Sequence, residues 1–352
     1  MKKNIGLLVT AAVGVLALSS CDKGGADISV LASTSQFQQA AIFTPRKLDV
    51  LFVVDNSGSM QASQTNLATN FPSFINYFKN KGYDYRLAVT TTDAYYGDQF
   101  VTSGCTPCNV NQTQFRSGVS PAVRIIDNNT PNIESVFSAN VQVGINGSGD
   151  ERAFSSIKAA LNSSLNVGFH RADAFLAVII VSDADDFSHD DINKNESYSQ
   201  PTLHPVSNYV TVLNTFTNGS PVLDYSVSTI GVLDAACESQ LSGGGENKIG
   251  TRYMQLSDLT GGTKNSLCNS FATVLDNIST SIATQTQASF HLNRAPVVSS
   301  ISVTVNGAVV PQSSTNGWSY DSASQNISIV GSTYQPQAGA AVAINFDPVS
   351  LN

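Results

Sequence analysis

Charge, histidine and tryptophan are scarce in this chain. Only 12% of its 352 residues are Asp, Glu, Lys or Arg, and there are 4 His and 1 Trp. The 18 Lys and Arg stand against 26 acids, give a net charge of −8 and gather in no basic cluster, so nucleic acid is a poor partner. His170, His189, His204 and His291 are scattered and no H-E-x-x-H occurs, which excludes a zincin. Of the four, only His189 is expected near the functional rim, facing solvent. A G-x-S-x-G elbow is absent. Gly243-Gly244-Gly245 runs into Glu246-Asn247-Lys248 without the Lys-Ser/Thr ending of a phosphate loop, and reads as a flexible surface loop. No internal repeat, low-complexity tract or transmembrane helix follows residue 21, and no small-molecule substrate site is evident.

Cysteines are few but informative. Lys2 and Lys3 precede an apolar run, Ile5 to Leu18, that is too short for an ordinary spanning helix and ends in Leu18-Ser19-Ser20-Cys21. Residues 1–20 therefore read as a signal peptide. The ending resembles a bacterial lipobox, which implies cleavage before Cys21, diacylation of its thiol and attachment to a membrane surface of the cell envelope. Four cysteines remain, an even number in an exported chain, and they read as two disulfides. Cys105–Cys108 and Cys237–Cys268 are the favoured pairs; the other two pairings stay open at this point.

Along the chain, residues 21–46 are small and polar and read as a lipidated tether with one short strand near Ala41-Ile42-Phe43. Leu48 to Val54 and Ala174 to Val181 are near-continuous apolar runs, the mark of parallel strands covered on both faces. Tyr85–Thr92 and Tyr225–Val232 are further strands, with an edge strand at Ala122–Ile126. Helical spacing is present over 61–80 (with Pro72 inside it), 133–143, 153–165, 203–215, 252–260 and 271–282. Strands alternating with helices predict a doubly wound, mostly parallel α/β sheet over residues 47–295. After Pro296 only short strand-like runs remain, with Asn306-Gly307 and Asn316-Gly317 as hairpin signals, so 296–352 reads as a small all-β module. Trp318 and Tyr320 are read there as packing residues rather than a sugar platform.

Asp55-Asn56-Ser57-Gly58-Ser59 follows the first apolar strand directly. One carboxylate and two hydroxyls at alternate positions suit a hard divalent cation, and Gly58 is expected to let the backbone curl around it. Ligands in such sheets bind at the carboxyl ends of strands. This D-x-S-x-S loop, with Asp183 after the apolar strand Val178-Ile179-Ile180-Val181, resembles the metal-ion-dependent adhesion site of von Willebrand factor type A domains. The resemblance spans roughly residues 47–290. It implies Mg²⁺, or Ca²⁺ or Mn²⁺, held by Asp55, Ser57, Ser59 and Asp183. The family's threonine is missing from Gly147-Ser148-Gly149-Asp150-Glu151-Arg152; Glu151 is the expected substitute, with Asp150 second. A third carboxylate would tighten the metal and weaken its pull on an outside carboxylate.

The acids of Asp183–Asp191 admit two readings. One is a second, Ca²⁺, site, although Ser188 stands where an EF-hand loop needs Gly. In the other, Asp185 and Asp186 cap or turn the chain. The function implied is binding rather than catalysis: metal-dependent recognition of a protein or surface polymer at the envelope. The alternative is a structural envelope scaffold in which the metal only fixes the loops and the β-module binds. A hydrolase would need Asp185, Asp186 or His189 as a base beside an open metal.

Overall fold

The computed structural model describes residues 37–241, 247–331 and 333–349. The signal region, Cys21 and the triple-glycine loop lie outside the described residues. In chain order, β1 (Phe37–Ile42), β2 (Lys47–Val54), α1 (Gln61–Lys81), β3 (Tyr85–Thr91), β4 (Ile125–Asp127), α2 (Ile133–Val141) and α3 (Ala153–Asn162) come first. β5 (Ala174–Ser182), α4 (Val206–Thr217), β6 (Tyr225–Gly231), α5 (Ala235–Leu241), α6 (Thr251–Thr260), β7 (Lys264–Ser266) and α7 (Phe271–Gln285) follow. The remainder is β8 (Ser289–His291), β9 (Ser302–Val305), β10 (Ala308–Val310), β11 (Gly317–Asp321), β12 (Asn326–Val330) and β13 (Ala341–Phe346).

The central sheet has the order β4-β3-β2-β5-β6-β7 and is parallel except for β4. Its middle strands are apolar throughout because both faces are covered. Along β2, Leu48, Val50, Phe52 and Val54 join one core with residues of α1, α2 and α7. Leu51 and Val53 point the other way, into a second core with residues of α3, α4 and α6. Pro72 lies inside α1 without ending it. Parallel pairing of β2 with β5 places both key loops together: Val54 of β2 is opposite Val181 of β5, so the segments starting at Asp55 and Asp183 leave the sheet side by side.

The β part differs from the sequence reading. β1 pairs antiparallel with β13 over six positions, from Phe37↔Phe346 to Ile42↔Ala341. β8 pairs with β12. The chain ends thus build one two-sheet unit, β1-β13-β9-β10 and β11-β12-β8, around Phe43, Val303, Trp318, Ile327, Ile344 and Phe346. Residues 37–42 are strand rather than tether, and the β unit recruits residues on both sides of the α/β sheet. Trp318 is buried in that core. Asn306 and Gly307, with φ of 50° and 82°, form the β9–β10 turn. Asn316-Gly317 does not make a hairpin turn: Gly317 already belongs to β11. The β unit meets the α/β sheet where α1 ends, far from the Asp55 loop. There a Cβ on Gly82 would come within 2.8 Å of the Ala338 Cβ. Deleting 296–349 should therefore strip β1 and β8 of their partners and uncover Phe43, Ala288 and Leu292. The expected product is an aggregating protein rather than a trimmed domain, seen by size-exclusion chromatography.

Candidate metal centre

The rim loop begins on a carboxylate that the sheet itself holds. Asp55 N donates to Val181 O at 2.9 Å, which fixes the end of β2 against β5. The Asp55 carboxylate is fully buried; one oxygen accepts from Ser57 N at 2.7 Å and the other from the Ser182 hydroxyl at 2.6 Å. Ser57 and Ser59 place their hydroxyl oxygens 3.4 Å apart, and the Ser59 hydroxyl near Asp183 favours its ionised form against the effect of burial. Gln64, on the first turn of α1, donates to Asp55 O at 3.0 Å and to Gly144 O at 2.8 Å, tying the rim loop to the segment before Glu151. Ser182 and Gln64 escape motif reading. The only sequence signal for Ser182 is a hydroxyl closing an otherwise apolar strand.

The second loop is set by Asp93 and Asn56. Asp93 accepts from Ser148 N at 3.0 Å and from Asn56 Nδ2 at 3.1 Å, while Gly147 N donates to Asn56 O at 2.8 Å. This grip leaves no room at Gly147: a Cβ there would sit 2.3 Å from Asn56 Nδ2 and 2.7 Å from its carbonyl. Gly58 is the opposite case. A Cβ at Gly58 meets nothing within 4 Å, and its φ is not left-handed, so the expected need for glycine there is not found. Gly147→Ala should cost about 1–3 kcal/mol by forcing Asn56 aside, whereas Gly58→Ala should unfold with the native protein; paired thermal melts without metal check both.

Glu151 and Asp150 are separated by their neighbours. Asp150 accepts from Arg152 Nε at 3.0 Å and Nη2 at 2.5 Å, and is consumed by that fully buried ion pair. Glu151 is buried, and among the described residues no ion pair engages it. Burial first, then the charge of Asp55, push its carboxyl up to about 9. Burial first, then the charge of Asp183, push Asp55 up to about 7. Asp183 is raised as well, mainly by burial. The structure thus brings Asp55, Ser57, Ser59, Glu151 and Asp183 to one rim. Among the described residues no group of three or more His, Cys, Asp and Glu side chains is close enough to hold an ion by itself, so hydroxyls would have to complete the shell. Hard oxygen donors and carboxylates that repel each other while buried fit a divalent cation such as Mg²⁺, Mn²⁺ or Ca²⁺.

The remaining acids of the third loop are engaged in holding helices. Asp185 accepts from Arg252 N at 3.0 Å and Tyr253 N at 3.4 Å at the start of α6. Asp186 accepts from Phe154 N at 2.9 Å at the start of α3 and from Ser188 N and Oγ, each at 2.9 Å. These are remote N-caps. Asp191 accepts from Asn193 N at 2.9 Å, and Asp190 lies 3.1 Å from His204. His189 is not solvent-facing: it is buried, with Nε2 3.4 Å from Arg152 Nη2. Asp185 and Asp186 are thereby occupied, while the buried His189 Nδ1 has no hydrogen-bond partner among the described residues. Both favoured disulfides are formed, with Cα separations of 5.1 Å for Cys105–Cys108 and 5.7 Å for Cys237–Cys268.

Neither a family model nor a curated protein matches the sequence. Among solved structures the chain is similar to the pilus adhesin SpaC from Lactobacillus rhamnosus GG in its open conformation, at 12% identity and a TM-score of 0.43 over 87% of this chain and 39% of that one. It is similar to von Willebrand factor type A from Catenulispora acidiphila at 11% identity and a TM-score of 0.38, over 90% and 61% of the two chains. A third is the pilus adhesin RrgA from Streptococcus pneumoniae, at 9% identity and a TM-score of 0.33, over 88% and 58%. The chain spans less than two thirds of the length of each.

Proposed function

We propose that the chain is a type A domain lipoprotein that binds a protein or surface polymer through a divalent cation held by Asp55, Ser57, Ser59, Glu151 and Asp183. Attachment through Cys21 to the bacterial envelope is part of the same proposal. The observation that supports it is that Asp55, Glu151 and Asp183 are buried carboxylates on one rim, each with its pKa raised first by burial, and for Asp55 and Glu151 also by a neighbouring acid. Such a cluster is costly unless a cation is the missing partner. When bound, the ion would offer an open position to an oxygen of the partner. Asp55 is oriented for this by the Ser182 hydroxyl and the Ser57 amide. The β unit packs near the end of α1, away from the rim.

A pull-down with the full chain tests the reading. Partner capture in Mg²⁺ should be lost in EDTA and in Asp183→Ala, and a partner retained under both conditions would overturn it. Rim substitutions also separate this reading from the scaffold alternative. Removal of 296–352 cannot do so, because β1 and β8 depend on that segment.

A further inference from the structure

We propose that the cleft between α7 and the β unit is a second ligand site, one that needs no metal and takes a short neutral oligosaccharide. The inference does not rest on the metal centre. Along α7, Phe271, Val274, Leu275, Ile278 and Ile282 fill the core. Thr280 and Thr284 recur beside that stripe, and Gln287 continues their spacing just past the end of the helix. These three residues form one wall of a hollow of about 340 Å³, a volume within the range of ligand clefts. Tyr77 of α1 joins that wall, and the loops before β11 and after β12 supply the other through Asn316 and Thr333.

The lining has the chemistry of a sugar face. None of the described residues that line the hollow is charged, so an acidic or basic partner finds no counter-charge there. Hydroxyls and amides both donate and accept, as the hydroxyls of a sugar require, and the tyrosine adds an apolar ring with a polar tip. Several of these groups are unspent within the protein. Among the described residues the Gln287 amide and the Tyr77 hydroxyl make no hydrogen bond. Asn316 Oδ1 accepts from Thr333 N at 3.3 Å, while its Nδ2 has no partner among those residues. Burial, then the charge of Asp276, raise the Tyr77 phenol above its ordinary value, so it stays protonated and able to donate.

The walls are held in place by other groups. The second amide on the lining, Gln335, is spent on the frame: its Nε2 bonds Ile329 O and its Oε1 accepts from Ala288 N at 3.4 Å, directly after Gln287. The hydroxyls of Tyr83 and Thr286 stand 2.9 Å apart and tie the end of α1 to the end of α7. Gly331, with φ of 77°, lets the two β loops touch: a Cβ there would lie 2.5 Å from Thr315 O and 2.6 Å from Asn316 Oδ1. A ligand therefore meets groups already positioned, and little ordering is needed on binding. With a few half-exposed hydrogen bonds and no charge, the dissociation constant should be on the order of 1 mM.

The test is saturation-transfer NMR of the full chain in EDTA with triacetylchitotriose and with maltotriose. Transfer to the ring protons of at least one is expected, and the acetamido and plain hexose probes separate the two kinds of neutral sugar. Gln287→Ala should weaken that binding about tenfold. Its amide bonds nothing among the described residues, so the variant should melt with the native protein. Thr284→Trp, which fills the hollow, should abolish the signal. Silence from both sugars, a signal unchanged in Thr284→Trp, or preference for trigalacturonate or for a neutral Ser-Asn-Gly peptide would overturn the proposal. Asp183→Ala should bind the sugar as the native protein does, so failure of the metal reading and failure of this one are read apart.

Discussion

Glu151→Gln should make the protein bind divalent cations worse and, without them, melt higher. The opposed signs follow from one cause. Glu151 is buried, and the charge of Asp55 adds to the cost of ionising it. The amide keeps the size and removes the charge, so the metal-free fold no longer has to hold a protonated acid or bury an anion. At pH 8 the gain should be on the order of a few kcal/mol, a rise in Tm of about 5 °C or more. With metal the same change removes a charged donor, and affinity should fall at least about a hundredfold. Differential scanning calorimetry with EDTA and isothermal titration with Mn²⁺ read the two halves independently. A variant that melts lower in EDTA would show that Glu151 is held by a favourable partner, and unchanged Mn²⁺ affinity would remove it from the shell. Asp150→Asn is the contrast. It breaks the buried pair with Arg152, whose guanidinium also stands 4.7 Å from the centre of the Tyr95 ring. That variant should lose stability with or without metal.

Those two adjacent acids show where sequence reading stops. Both follow the same glycines, and composition cannot say which turns to the rim; Arg152 decides it by taking Asp150. Asp55 and Asp183 were legible because each directly follows a strand apolar enough to be covered on both faces, and a parallel sheet delivers such strand ends to one side. The caps made by Asp185 and Asp186 were legible only as one of two readings. The amides they satisfy, Arg252 N in the first turn of α6 and Phe154 N in the first turn of α3, lie 67 and 32 residues away in sequence. His189 was misread because a lone His in a run of acids looks solvated, whereas the Arg152 side chain and the loop around it cover the ring. Strand β1 was half seen. Its alternation, Phe37 to Ile42, is short, and the strand that completes it, Ala341–Phe346, is at the other end of the chain. Local propensity carries no trace of such a partner.

Raising the pH should destabilise the metal-free protein and strengthen its hold on metal over the same interval. The ordinary carboxyl values are 3.8 for Asp55 and 4.5 for Glu151; the fold moves them to about 7 and about 9. Between roughly pH 4 and 9 the folded protein therefore keeps protons that the unfolded chain has released, so its stability falls as pH rises through that window. Asp186, pushed up to about 6 by burial, adds the same sign at the lower end. It does not belong to the shell, so its share should persist when metal is added. Bound cation requires ionised Asp55 and Glu151 and displaces whatever protons they carry. The logarithm of the apparent affinity should climb by about two per pH unit below pH 7, by about one between 7 and 9, and level off above. Titration calorimetry in buffers of differing ionisation enthalpy counts the released protons directly. In Glu151→Gln the rise between pH 7 and 9 should disappear while the part owed to Asp55 remains. An affinity flat from pH 5 to 9 in the native protein would mean that the cation does not meet these two carboxylates.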